Sequence, residues 1–244
     1  MMPVSWPGRL LVAALLALLL VLSIPAHWLG AALAATSGER LRLVDASGRW
    51  YAGSARLYAR SAGPDDWLAL GQLRWRLFDA AGVLVAELNR GRVSLNWVDT
   101  RPEFRAEGLV LPATLFSGAL GEDIGGVLEI ASATLRRADK AAWRGEGEFR
   151  WRSAVLARLD DYPLGDVDVR WQLGDTLSGS FSGQRPNVHS LQGRFAYAPE
   201  TGAAQASASL IFVDRPPERL ARTLERLGRH DPTASGYAYH LEYP

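Results

Sequence analysis

The sequence predicts a mainly β protein, in which an N-terminal transmembrane helix is followed by an antiparallel β-rich domain with one short helix near the C-terminus. Three observations predict this class. No charged residue occurs from Leu10 to Gly38, apolar residues recur with a period of two beyond that point, and one late segment carries helix signals instead. We expect the β-rich part to be a folded sheet or a sandwich.

The N-terminal apolar stretch is long enough to cross a membrane. A spanning helix needs ~20 mostly apolar residues, which residues 10–30 supply. Arg9 precedes the run, and the positive-inside rule therefore predicts a cytoplasmic tail at residues 1–9, an anchor at 10–30 and an external β-rich domain at 36–244. The alternative is a signal peptide that is cleaved after Ala34, since Ala32-Leu33-Ala34 has the small-x-small pattern. Both alternatives place the domain outside the cytoplasm.

Four segments show the clearest strand pattern. Apolar residues alternate with polar ones over residues 73–77, 92–97, 143–152 and 166–173, as in strands with one buried and one wet face. Weaker strands are predicted at residues 41–44, 50–59, 83–88, 104–111, 127–135, 177–181, 191–197, 206–213 and 237–243. Turn residues between them are typical of hairpins and occur at residues 46–48, 62–65, 125–126 and 199–202.

One segment departs from this pattern. Pro216 and Pro217 open a stretch in which Leu220, Leu224 and Leu227 recur at helical spacing, and Gly228 closes it. We therefore expect one short amphipathic helix at about residues 216–228, with its wet face formed by Arg219, Arg222, Arg226 and Arg229. A weaker helical turn is predicted over residues 113–120.

Two pairs of strand segments resemble each other. Residues 71–76 match 147–152, and residues 91–97 match 165–171, at offsets close to 75 residues. Such similarity indicates either a tandem repeat of one β unit or a chance likeness between strands rich in Arg and Trp.

Composition excludes several classes of function. The chain has 244 residues and a net charge of +1, which gives no strong field to attract nucleic acid. It has no cysteine, and disulfides, thiolate nucleophiles and cysteine-ligated metals are therefore excluded.

No catalytic, cofactor or metal site is predicted. The four histidines, His27, His189, His230 and His240, lack metal-ligand spacing, and no phosphate-binding loop is present. Residues 179–183 have Phe181 where a nucleophile elbow requires serine. Adjacent carboxylates at residues 65–66, 122–123 and 160–161 are interpreted as solvated loop charge.

The aromatic residues are more informative. We expect Trp75, Trp97, Trp151 and Trp171 to lie on the apolar side of their strands, together with Phe149 and Phe195. An apolar sheet face must be covered, because burial stabilises by ~25 cal/mol per Å². Either the halves of the sheet pack on each other, or an open apolar groove holds acyl chains or a partner.

Several short motifs occur together with the single N-terminal anchor. They are Gly48-Arg49-Trp50-Tyr51-Ala52-Gly53, Leu73-Arg74-Trp75-Arg76-Leu77, Leu111-Pro112 and Pro163-Leu164-Gly165. In this order they resemble the type II secretion system protein N family. The resemblance covers nearly the whole chain. That family is similar in turn to AsmA-like β proteins, whose elongated sheets carry an apolar inner face.

The resemblance implies a non-enzymatic, single-pass protein of the bacterial inner membrane that contributes to export of folded proteins across the outer membrane. Its implied partners are the platform proteins L and M and the outer-membrane secretin. The AsmA-like relation implies an alternative, a periplasmic protein that holds lipid in an apolar groove. A periplasmic enzyme is a third class, which would need convergent polar groups in a pocket.

Overall fold

A computed structural model describes residues 21–60, 67–79, 82–117, 123–138, 142–159, 161–185, 188–231 and 237–243. The chain is mainly β, as predicted, and its strands form one antiparallel 14-stranded sheet. The strands are β1 (Leu41–Arg49), β2 (Ala52–Arg60), β3 (Trp67–Asp79), β4 (Gly82–Leu88), β5 (Gly91–Val98), β6 (Arg101–Pro112), β7 (Ile124–Arg137), β8 (Trp143–Leu156), β9 (Tyr162–Leu173), β10 (Leu177–Arg185), β11 (His189–Ala198), β12 (Ala203–Phe212), β13 (Gly228–Asp231) and β14 (Tyr237–Tyr243).

The order of the strands is almost that of the chain. From β1 to β12 each strand pairs with the next, and β14 then lies between β12 and β13 at the edge. The domain is thus one continuous sheet rather than the two stacked sheets of a sandwich. Period-two alternation predicts strands, but it does not predict which strands pair. Both a folded sheet and a sandwich were therefore consistent with the sequence.

Within the described residues, four helical segments with defined bounds accompany the sheet. They are α1 (His27–Thr36), η1 (Ala113–Phe116), η2 (Ala157–Leu159) and α2 (Glu218–Leu227), of which η1 and η2 are 3₁₀ helices. The helix near the C-terminus is therefore confirmed, and Arg219, Arg222 and Arg226 lie on its exposed side. The inclusion of Arg229 was wrong, because the helix ends at Leu227 and Arg229 belongs to β13. The predicted turn after Pro112 is confirmed as η1 in its described part. Neither α1 as a separate helix nor β13 was predicted.

Two predicted turns are wrong, because they are bulges inside strands. The register of β1 shifts between Val44 and Ser47, and that of β7 shifts between Gly125 and Val127. Gly126 has a φ of 101°, a conformation that glycine adopts without a steric penalty. The turn at 199–202 is confirmed, whereas that at 62–65 lies outside the described residues.

The strands of the suspected tandem repeat do not occupy equivalent positions. The first pair of segments lies in β3 and β5, which are separated by β4. The second pair lies in β8 and β9, which are direct neighbours, with Gly147 opposite Trp171. The topology therefore favours chance similarity of strand patterns over duplication of one unit.

The N-terminal region joins the folded domain at the β1–β2 turn. Pro25 forms a bridge with Arg49, the Ala26 amide donates to the Gly48 carbonyl at 3.2 Å, and the Trp50 amide donates to the Ile24 carbonyl at 3.2 Å. Residues 1–20 lie outside the described residues. Within the predicted anchor, the described residues 21–30 do not form one continuous helix, because the helical conformation is interrupted before α1 begins at His27. Among the helices that the structure describes, none is both long and apolar enough to span a bilayer.

The described residues form three apolar core clusters, each beside a helical segment. The first packs Ala26 and Leu29 against Ala55 and Trp75. The second joins Leu70, Leu88 and Leu109, with Leu115 of η1 beside them. The third and largest packs Leu220 and Leu224 of α2 against strands β8 to β14, including Leu164, Val167, Leu191, Leu210, Phe212 and Tyr239.

Candidate functional site

One face of the sheet is apolar across nearly its whole width. Residues that lie directly opposite each other in an antiparallel sheet point to the same face, so the pairings define rows. One row contains only apolar residues and glycines from β2 to β12, and we call it the apolar row. Its members are Gly53, Trp75, Ala86, Val93, Ala106, Ala133, Gly147, Trp171, Gly179, Phe195 and Ala206.

Glycines in this row make room for aromatic rings on the next strand. A Cβ at Gly53 would lie 2.6 Å from Cζ2 of Trp75, and one at Gly147 would lie 2.8 Å from Cζ2 of Trp171. Both distances are well below van der Waals contact, so only glycine allows the indole to lie across the neighbouring strand. Trp75 also donates from Nε1 to the Trp50 carbonyl at 3.0 Å.

The aromatic side chains that were predicted on the apolar side of their strands lie on the face of the apolar row. Trp75 is buried, and Phe149, Trp151 and Phe195 pack against the largest cluster. Trp171 belongs to the apolar row. Trp97 lies opposite Pro102 at the end of β5 and is 57% exposed.

Exposed aromatic residues concentrate at one end of the sheet. We call this the entry end, because residues 24–26 meet the β1–β2 turn there; it also carries the turns at 99–100, 174–176 and 199–202. At the opposite, far end, the exposed aromatics are Phe116 and Tyr237. Those of the entry end, which we call the aromatic rim, are Trp28, Phe78, Trp97, Phe104, Trp143 and Tyr197.

The other face carries a row that is polar from β1 to β14. Opposite charges face each other along it, as in Glu87 against Arg92 and Glu148 against Arg170. This arrangement favours the observed register, since a one-residue slip would send each charge to the apolar face. The members of this polar row are Ser47, Ser54, Arg74, Glu87, Arg92, Glu107, Ser132, Glu148, Arg170, Ser180, Arg194, Ser207 and Glu242.

The polar face is concave over the C-terminal half of the sheet. Two adjacent cavities lie on it, with volumes of about 1090 Å³ and 1330 Å³. Residues of every strand from β6 to β12, together with β14, line the first one, which requires the sheet to curve around it. We call the two cavities together the polar groove. They share Glu148, Arg170, Ser180, Arg194, Ser207 and Glu242.

Ion pairs occupy much of the polar groove. Arg150 Nε lies 2.7 Å from Asp168 Oδ1, and Arg170 Nε lies 3.8 Å from Glu148 Oε2. The hydrogen bond and charge of Asp168 raise the pKa of Arg150 above its usual value. These side chains are largely solvated, so each pair contributes little stability. The groove offers hydrogen-bonding groups, but its charges are mainly matched to each other.

His189 is the most perturbed histidine of the described residues. It is buried between Tyr162 and Phe212. Its Nε2 lies 3.0 Å from the Leu164 carbonyl, and its Nδ1 lies 3.2 Å from the Tyr162 hydroxyl. The carbonyl can only accept, so Nε2 carries the proton and Nδ1 accepts from tyrosine. Burial lowers the pKa of His189, which favours this neutral form.

Within the described part of the chain, the four histidines considered above lie on different elements. His27 begins α1, His189 lies on β11, and His230 and His240 lie on β13 and β14. Within the described ranges, no group of three or more His, Cys, Asp or Glu side chains could hold a metal ion. Of the predicted carboxylate pairs, Asp123 and Asp161 are described and both are exposed; their neighbours and residues 65–66 lie outside those ranges.

The polar row and the groove were not anticipated from the sequence. Their members were visible as the polar positions of the alternating segments, for example Arg92 on β5 and Glu148 on β8. Recognising them as one row requires the pairing register, which depends on bulges that the alternation does not reveal.

Comparisons of the chain with protein families, with curated proteins and with solved structures gave no match.

Proposed function

We propose that this chain is a non-enzymatic, single-pass component of a type II protein secretion system in the bacterial inner membrane. Its short N-terminal tail would be cytoplasmic, and its sheet would lie in the periplasm. There it would contact the platform proteins L and M and the secretin, and contribute to export of folded proteins. The motifs that resemble the protein N family motivate this proposal.

The observation that carries the proposal is the continuity between the apolar N-terminal segment and a single long sheet. Residues 24–26 hydrogen-bond with the β1–β2 turn, and Ala26 is 1% exposed beside Ala55 and Trp75. Cleavage after Ala34 would remove these core contacts. This supports a retained segment, and with it an anchored rather than a released domain.

A non-enzymatic role agrees with the character of the polar groove. Its carboxylates and guanidinium groups are largely solvated and matched to each other, as in Arg150 with Asp168. General acid–base catalysis usually requires groups whose pKa is tuned by a desolvated pocket.

The test is deletion of the gene with complementation. Secreted proteins should accumulate, folded, in the periplasm, and the full chain should restore export. Mass spectrometry of the complementing protein should show an intact N-terminal segment. Normal export by the deletion strain would contradict the secretion role, and a mature chain beginning at Ala35 would contradict the anchor.

The uncovered part of the apolar face favours a second candidate, an AsmA-like lipid-handling protein. Helix α1 covers the apolar face over the first strands of the sheet, and α2 covers it over the last strands. Trp97, Phe104 and Trp143, on strands between these two regions, stay exposed. In that case phospholipid would co-purify with the gently extracted chain, and deletion would impair the outer membrane as a permeability barrier while export continued. Mass spectrometry of extracted lipid distinguishes the two functions.

A further inference from the structure

We propose that the aromatic rim docks on the surface of the phospholipid bilayer, so that the entry end of the sheet faces the membrane. The proposal rests on the anchoring proposed above, and it adds a second, folded contact with the same membrane. Its occupant is the bilayer surface, at the boundary of headgroups and acyl chains.

The position of the rim is the first argument. The described chain begins at Val21, and the Arg49 guanidinium donates to the Leu22 carbonyl at 3.0 Å. Residues 22–26, which directly follow the apolar run, therefore lie at the β1–β2 turn. Alternate hairpin turns of an antiparallel sheet lie at one end, so the strand ends that bear Phe78, Trp97 and Tyr197 lie at this same end.

The chemistry of the rim is the second argument. Indole and phenol rings favour the interface between water and lipid, because their rings are apolar and their polar atoms remain hydrated. Each exposed tryptophan among the described residues, namely Trp28, Trp97 and Trp143, lies at the entry end. The far end instead exposes mainly aliphatic side chains such as Val110 and Val213.

The short sequence distance between the charge-free run and the sheet is the third argument. Residues 10–24 carry no charge, and Pro25, which follows them directly, pairs with Arg49 at the β1–β2 turn. If the run is held in the bilayer, no further residues lie between it and the entry end. The anchoring proposed above therefore brings the rim to the membrane surface.

Site-directed spin labelling of the full chain in vesicles of phosphatidylethanolamine and phosphatidylglycerol tests this inference. The chain has no cysteine, so each variant carries one label. Phe78→Cys and Trp97→Cys report on the rim, and Val213→Cys is the control at the far end. Phe78 is 75% and Val213 is 64% exposed, so water reaches both unless lipid intervenes.

Two collision rates of each label are compared, one with oxygen, which concentrates in lipid, and one with a water-soluble nickel chelate. We expect the ratio of the oxygen rate to the nickel rate to be severalfold higher at positions 78 and 97 than at position 213. Equal ratios in protein that stays with the vesicles after a carbonate wash would overturn the docking and leave the anchor standing. Release of the protein by the wash would overturn both. Circular dichroism identifies any variant that is misfolded, and the other rim position then decides.

Discussion

Gly147 shows how single residues set the packing of the apolar face. Its hydrogen atom leaves room for the indole of Trp171 on the neighbouring strand, and the same arrangement recurs at Gly53 and Trp75. Large aromatic rings can then lie against the backbone of the sheet without pushing strands apart.

The variant Gly147→Ala should therefore be destabilised. The added Cβ would lie 2.8 Å from both Trp171 and the Ser132 carbonyl oxygen, and overpacking of this kind costs ~1–3 kcal/mol. The control is Gly174→Ala, since a Cβ there meets nothing within 4 Å. Urea unfolding of the purified full chain gives both free energies of unfolding. Equal values for the two variants would contradict the proposed packing.

His189 gives the fold a pH dependence. Its pKa is lowered in the folded state by burial, while the unfolded chain should titrate near ~6.5. The unfolded state therefore binds more protons as the pH falls below that value, and stability is lost with decreasing pH. Thermal unfolding from pH 7.5 to 5 should show this loss in the natural chain and a smaller one in His189→Gln. His240→Gln, which removes an exposed imidazole instead of the buried one, is the control variant.

At the scale of elements, α2 covers the apolar face over the C-terminal strands of the sheet. Leu220 and Leu224 are buried in the largest cluster beside Phe212 and Tyr239. Leu227 was predicted on the same stripe, yet it lies at the last helical residue and is exposed. The helix therefore contacts the sheet through its first two turns.

Leu224→Ala should lower the free energy of unfolding by ~2–5 kcal/mol, because it leaves a cavity among buried side chains. Leu227→Ala, in the same helix but exposed, should change it by less than ~1 kcal/mol. Chemical denaturation of both variants measures the difference. A similar loss in both would mean that α2 is not packed on the sheet as described.

The outcome of the sequence predictions also differs by element. Alternation and turn residues predicted the regular strands, because one face of each is apolar and the other polar. The turn predictions failed at residues 46–48 and 125–126, because a bulge inside a strand contains glycine and small residues as a turn does. Strand β13 was missed because Gly228-Arg229-His230-Asp231 contains no apolar alternation and depends on pairing with β14.

At the scale of the molecule, the sheet has two faces of different character. The apolar row faces helices and the aromatic rim, while the polar row lines the concave groove. The sequence predicted the apolar side through its tryptophans, but the concavity of the other side arises from the curvature of many paired strands. No local pattern encodes that curvature.

Because β1 to β12 follow one another in space as they do in the chain, most backbone pairings join segments that are close in sequence. Each new hairpin can dock on the edge already formed, without waiting for distant parts of the polypeptide. Chains with such local contacts fold quickly for their content of strand. The sheet can thus form progressively from its N-terminal strands, with β14 added last between β12 and the edge strand β13.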